Sequence, residues 1–340
     1  MQLRMSSIPL MLDYVSGLRT HPGDRETVRK LFAHEDYQFE LRRYEISSAE
    51  HLIDYFSRLN TILPDEIPDL SDNHRKNHLR EKHRQWLDCI GNPQKYYDRY
   101  ERLKAFFTDD FLADMQERLT KMFPKGTEMI PDPSVVSTLS FGRSFGYPGE
   151  GAIHLDLFGV EEHCSMEDLP RTVLHEMHHM QAFKMAGDSD GFYSGFSLLE
   201  RYIIGFAWEG LAIKFCNNAE GVISRRLEPD HEPNICAPSV PVLNRHFAEH
   251  FQLFCDTVRK IKAGTLTEEE MERQQSDYWM NPYLYGKEPL DQTAIYSFGN
   301  ELYGCVYDHF GLDAVYECFY HPARLISCFN RTNCGWSIPE

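Results

Sequence analysis

The stretch DLPRTVLHEMHHMQAFKMAG, residues 168–187, reads as one helix. Asp168 can cap its start, Pro170 suits its first turn, and Gly187 suits the position just past its end. Within it, His175, Glu176 and His179 satisfy H-E-x-x-H. Residues four apart on a helix share a face, so both imidazoles can reach one metal ion. Glu176 is then set beside the water that such an ion activates. The plainer alternative is a pair of core or surface histidines with a solvent-facing glutamate. His178, three after His175, could also chelate. That pairing would not give the same base geometry, so His178 is assigned to packing or to the surroundings of the ligands.

A catalytic zinc needs three protein ligands and one open position. The next helix, expected over 198–217, contains YIIGFAWEGLAIKF at 202–215. Lys214 can snorkel from such an apolar run. Glu209 must be neutralised, paired or coordinated, because a carboxylate buried alone costs several kcal/mol or more. The other acid of this helix, Glu200, stands three after Ser197 in capping-box spacing. On one helix the two acids lie on roughly opposite sides, so they cannot both face one ion. Glu209 has no capping role and no charge partner in its own helix, which makes it the candidate third ligand. Gly205 and Gly210 would let a second helix or the metal approach closely.

Upstream, residues 1 to about 125 read as helices. SSAEHLIDYFSRLNTIL places Ser47 and Glu50 in capping-box spacing. NHRKNHLREKHRQWLDCI and YYDRYERLKAFFTDDFLADMQERLTKMF continue the pattern, ended by Pro124 and Gly126. His74 and His78 have helical ligand spacing, but they lie among Arg and Lys that repel a cation, so they read as a solvated face. The texture then changes. SVVSTLSFG (134–142) and GAIHLDLFGV (151–160) read as strands, joined by the glycine-rich turn RSFGYPGEG. Helices return near 168–186, 198–217, 240–262, 267–279 and 291–310, with loops at 217–241 and 281–292. The expected organisation is a helical N-terminal region over 1–130 and a sheet-containing region over 131–340. The fold class is α+β, mostly helical.

Composition bounds the function. The 340-residue chain carries a net charge of −17, against a nucleic-acid partner, which needs a basic surface. No segment has the run of 18 or more apolar residues that spans a bilayer. The start, MQLRMSSIPLMLDYVSGL, lacks the pattern of a secretory signal. Nine cysteines without a CxxC pair read as reduced thiols. A cytoplasmic protein is expected, and nothing indicates its oligomeric state.

H-E-x-x-H followed about thirty residues later by WEGLA resembles the gluzincin metallopeptidases, which take two histidines and a downstream glutamate as zinc ligands. The E-G-x-A form is similar to a set of largely uncharacterised bacterial zinc-dependent peptidases. The later IYSFGNELYGCVYDHFGLDAVYECFYHPARLISCFN is similar to the C-terminal part of that set. The resemblance covers about 135–335, with the N-terminal third outside it. It implies a zincin-like catalytic unit, one zinc per chain on His175, His179 and Glu209, and Glu176 as general base. It also implies a peptide or protein substrate and, as oxyanion donor, Tyr296. Gluzincins resemble one another in a sheet edge strand to which substrate adds, and GAIHLDLFGV is the expected candidate. There is one departure. Many gluzincins carry an acid four residues after the third ligand, where this chain has Ile213. Zinc-dependent hydrolysis of a non-peptide amide, and a non-catalytic helical scaffold with structural zinc, are the alternatives.

Overall fold

The β-branched run Ser134–Thr138 and the alternating run Ala152–Asp156 pair as parallel strands at the centre of a four-stranded sheet. The computed structural model describes residues 1–46, 48–68, 79–142, 144–149, 151–162, 164–187, 189–231 and 239–340. Ser47 of the expected capping box, the His74/His78 pair, Arg143 and Glu150 of the turn, and loop residues 232–238 lie outside them. The chain forms two compact units. One is Met1–Glu117 with Ile130–Met180, and the other is Arg118–Met129 with Gln181–Glu340.

The first unit opens with strand β1 (Gln2–Arg4) and helices α1 (Ser7–Gly17), α2 (Arg25–Phe32), α3 (Glu35–Arg43) and α4 (Glu50–Ser57). Helices α5 (Leu79–Gly91), α6 (Pro93–Phe106) and α7 (Asp109–Lys121) follow, the last running into the second unit. Then come β2 (Ser134–Thr138), β3 (Gly146–Pro148), β4 (Ala152–Asp156) and α8 (Leu169–Ala186). The sheet order is β1-β2-β4-β3, with β3 antiparallel to β4 and the other pairs parallel. The fold is therefore α+β and mostly helical, with one small mixed sheet.

Two strands add to the sequence reading. The N-terminal residues form β1, and Gly146–Pro148, expected as turn, forms β3. β4 is consequently interior, with every residue buried. The expectation that it supplies the open edge is corrected: β3 occupies that edge.

Buried polar groups cluster around β4: His154 meets the Thr138 hydroxyl through Nε2, while its Nδ1 has no hydrogen-bond partner among the described residues. Asp156 pairs with Lys82 of α5 and accepts the Ser140 and Phe158 N–H groups at 3.1 and 3.0 Å. Glu40 of α3 is fully buried and accepts from the Ser140 hydroxyl, the Thr138 hydroxyl at 3.0 Å, and the Phe141 and Gly142 N–H groups at 3.1 and 3.2 Å. Four donors hold the carboxylate, but burial is the larger effect and pushes its pKa up to about 7.

In the second unit lie α9 (Ser189–Ser194), α10 (Leu198–Ile204), α11 (Ala207–Cys216), α12 (Ser239–Arg245) and α13 (Phe247–Lys262). They are followed by α14 (Glu268–Gln274), α15 (Ala294–Gly299), α16 (Cys305–Tyr320) and α17 (Arg324–Arg331). π-helical turns at Gln275–Trp279 and Asn300–Gly304 extend α14 and join α15 to α16. The core is aromatic. Phe206 meets Trp279 and Phe254 with centroids 4.8 and 5.4 Å apart, and Trp279 stacks on Phe298 at 5.0 Å. Among the described residues, no helix is long and apolar enough to cross a membrane.

Candidate metal centre

Helix α8 follows the sequence reading: it starts at Leu169, and Gly187 takes a φ of +74° just past its end. His175 and His179 sit one turn apart, 9% and 6% exposed. Their Nε2 atoms are 3.0 Å apart and the rings stand nearly perpendicular. Two nitrogens each about 2.0–2.1 Å from one tetrahedral ion would be roughly 3.3 Å apart, so the pair has the spacing a zinc requires. A ligand atom from each of His175, His179 and Glu209 lies within 4.8 Å of the others. Two imidazoles and one carboxylate are the donor set of a catalytic zinc with an open fourth position. His178 is buried on the same helix.

Glu209 is presented by α11. The single helix expected over 198–217 is divided at Gly205 and Phe206, so Glu209 falls in the first turn of α11, half-buried. A carboxylate there is favoured by the unpaired N–H groups and the dipole of the helix start. Gly210 lies against Gly299 of α15: a Cβ on Gly299 would stand 2.9 Å from Gly210 Cα. Glycine at 210 thus admits a second helix. Tyr296, three residues before Gly299 on α15, is half-buried.

Three charged residues near this segment have other partners. Glu200 forms the expected capping box: its N–H donates to the Ser197 hydroxyl at 3.3 Å, and its carboxylate accepts the Ser197 N–H at 2.9 Å. Lys214 does not snorkel. It is fully buried, donating to Asp308 and the Arg225 carbonyl, both at 2.6 Å, while burial lowers its pKa. Glu301, which sequence reading missed, is a buried acid in this unit. Its carboxylate accepts N–H groups from Val222, Ile223 and Ser224, the latter two at 2.9 and 3.0 Å, and burial raises its pKa. The signal was available: Glu301 interrupts the apolar run SFGNELYGCV much as Glu209 interrupts its own.

The neighbour of Glu176 was also missed. A Cβ on Gly146 would stand 3.0 Å from Glu176 Oε1. The carboxylate of the H-E-x-x-H glutamate therefore sits against strand β3. Asp156 N–H donates to the Phe145 carbonyl, and Gly149 N–H to the Ala152 carbonyl, both at 2.8 Å. With Tyr147 opposite His154, the inward groups belong to 145, 147 and 149. The outward backbone groups are those of Gly146 and the carbonyl of Pro148.

Neither the curated proteins nor the solved structures include a match to this chain. One family model matches residues 24–332, described as "Putative zinc dependent peptidase (DUF5700)". The match takes in most of the helical N-terminal third, which the sequence resemblance had left out. By this match over nearly its whole length, the chain belongs to that family.

Proposed function

We propose that the protein is a gluzincin-type zinc peptidase, with His175, His179 and Glu209 as ligands of one zinc and Glu176 as general base. The observation that carries this reading is the approach of the three ligand atoms to within 4.8 Å. Zinc held there would supply Lewis acidity to the scissile carbonyl and to the attacking water. Glu176 takes the proton from that water and delivers it to the leaving amine. Tyr296 donates its phenolic hydrogen to the developing oxyanion. The peptide lies along β3, paired with the outward Gly146 N–H and carbonyl. Pro148 offers its carbonyl but no N–H, so β3 donates to the peptide only from Gly146, beside Glu176.

Metal analysis of the purified protein tests the ligand set. About one zinc per chain is expected. It should be lost or greatly weakened in His175→Ala, His179→Ala and Glu209→Ala, and kept in Glu200→Ala and His178→Ala. Loss of zinc from Glu200→Ala with retention in Glu209→Ala would contradict the assignment.

A further inference from the structure

A cavity of about 350 Å³ lies in the second unit, lined by Phe183, Ala186, Gly187, Phe192, Tyr193 and Trp208. Four of these six lining residues are aromatic. Trp208 packs on Phe183 and Phe192 with centroids 4.9 and 6.2 Å apart, and on Phe319 at 5.1 Å. The indole N–H donates to the Tyr193 hydroxyl at 2.7 Å, so the lining's own polar atoms are turned on each other. Phe183 is 49% exposed, so the cavity has an apolar wall open to solvent.

Two lining residues are tied by the chain to the proposed ligands. Phe183 follows His179 by four residues on α8, so it shares the face of His175 and His179, about 6 Å further along the helix axis. Trp208 is the residue next to Glu209. One residue of an extended peptide spans about 3.3–3.6 Å. The cavity is thus within the reach of a side chain one or two residues from a bond cut at the candidate metal centre. A volume at the lower end of the ligand-pocket range suits a side chain rather than a whole small molecule.

We infer that this cavity is the specificity pocket, taking a large apolar, preferably aromatic, substrate side chain close to the scissile bond. The inference rests on the peptidase reading for its substrate, but the binding itself can be measured apart from catalysis. Ala186→Trp fills the cavity from the end of α8 without touching a proposed ligand or base.

Saturation-transfer NMR with N-acetyl-phenylalaninamide should show binding to wild type that is lost in Ala186→Trp, with N-acetyl-glycinamide showing none. In parallel, zinc-loaded enzyme is given a mixed peptide library read by mass spectrometry. Wild type should favour sites with an aromatic or large aliphatic residue at one fixed position. Ala186→Trp should cut kcat/KM for those sites by about 10–200-fold and leave sites with Gly or Ala there within a few-fold. Equal NMR transfer in both proteins, or cleavage whose preference Ala186→Trp does not move, would overturn the pocket while leaving the peptidase reading intact. Phenylalaninamide binding that Ala186→Trp abolishes, with no peptide cut by zinc-loaded wild type, would overturn the substrate assignment together with that reading.

Discussion

His154 lies fully buried on β4, its Nε2 2.8 Å from the Thr138 hydroxyl and its ring stacked on Tyr147. Burial, aided by the Lys82 charge, lowers its pKa from 6.5 to about 3. The folded state therefore keeps the ring neutral where the unfolded chain takes a proton. The resulting stability is present above pH 6.5 and is lost as pH falls toward about 3, at about 1.4 kcal/mol per pH unit. Glu40 has the opposite sign: raised from 4.5 to about 7, its contribution is present below pH 4.5 and is lost as pH rises through about 7. Between about pH 4.5 and 6.5 the two slopes offset each other. Urea unfolding of wild type and His154→Phe across pH 3 to 6.5 should give curves whose slopes differ by about one proton; parallel curves would contradict this account of His154. At this scale the sequence was informative where a residue type violates its surroundings, as with Glu209. It could not tell which compensation each violation receives. Glu209 lies with two histidines, Glu301 is held by backbone N–H groups and Lys214 by Asp308. Those partners are between 30 (Glu209 to His179) and 94 (Lys214 to Asp308) residues away in the chain, beyond what local spacing can show.

The helix carrying H-E-x-x-H, expected near 168–186, spans Leu169–Ala186, as its first-turn proline and closing glycine indicate. β3 was not legible: three residues with two of Gly and Pro have almost no strand propensity, and only pairing with β4 makes them a strand. Nor was the division between α10 and α11, since Gly205 and Phe206 keep right-handed backbone angles and the apolar run passes through them unbroken. The two glycines flanking this segment looked alike in the sequence and differ in the structure. A Cβ on Gly205 would meet Gln275 Nε2 at 3.1 Å, the end of a flexible side chain that can move. On Gly210 it would meet the backbone of Gly299, which cannot rotate away. Gly210→Ala should therefore lower stability by about 1–3 kcal/mol or more, and Gly205→Ala by less than about 1 kcal/mol. Denaturant titration decides this, and a Gly210→Ala protein as stable as wild type would show that the α11–α15 contact is not as close as described.

For the whole molecule, the α+β class followed from the order of helical and strand-like segments, and the family match over 24–332 joins the N-terminal helices to the same family as the helix that carries H-E-x-x-H. The sequence had no signal for that, because the N-terminal helices carry no motif, only amphipathic periodicity that any helical region shares. Their contribution is structural in kind: α3 and α5 supply Glu40 and Lys82, which satisfy the strands and the loop beside β3. The central claim concerns one residue in this assembly. Glu176 neighbours the proposed ligands without being one, so Glu176→Gln should keep the fold and the zinc while losing the base. The measurement is peptide hydrolysis across a mixed library, read by mass spectrometry, for zinc-loaded wild type and zinc-loaded Glu176→Gln side by side. General-base catalysis is typically worth about 10²–10⁴-fold, so wild type should cleave and the variant should fall by at least that range. Cleavage that survives undiminished in zinc-loaded Glu176→Gln would contradict the account.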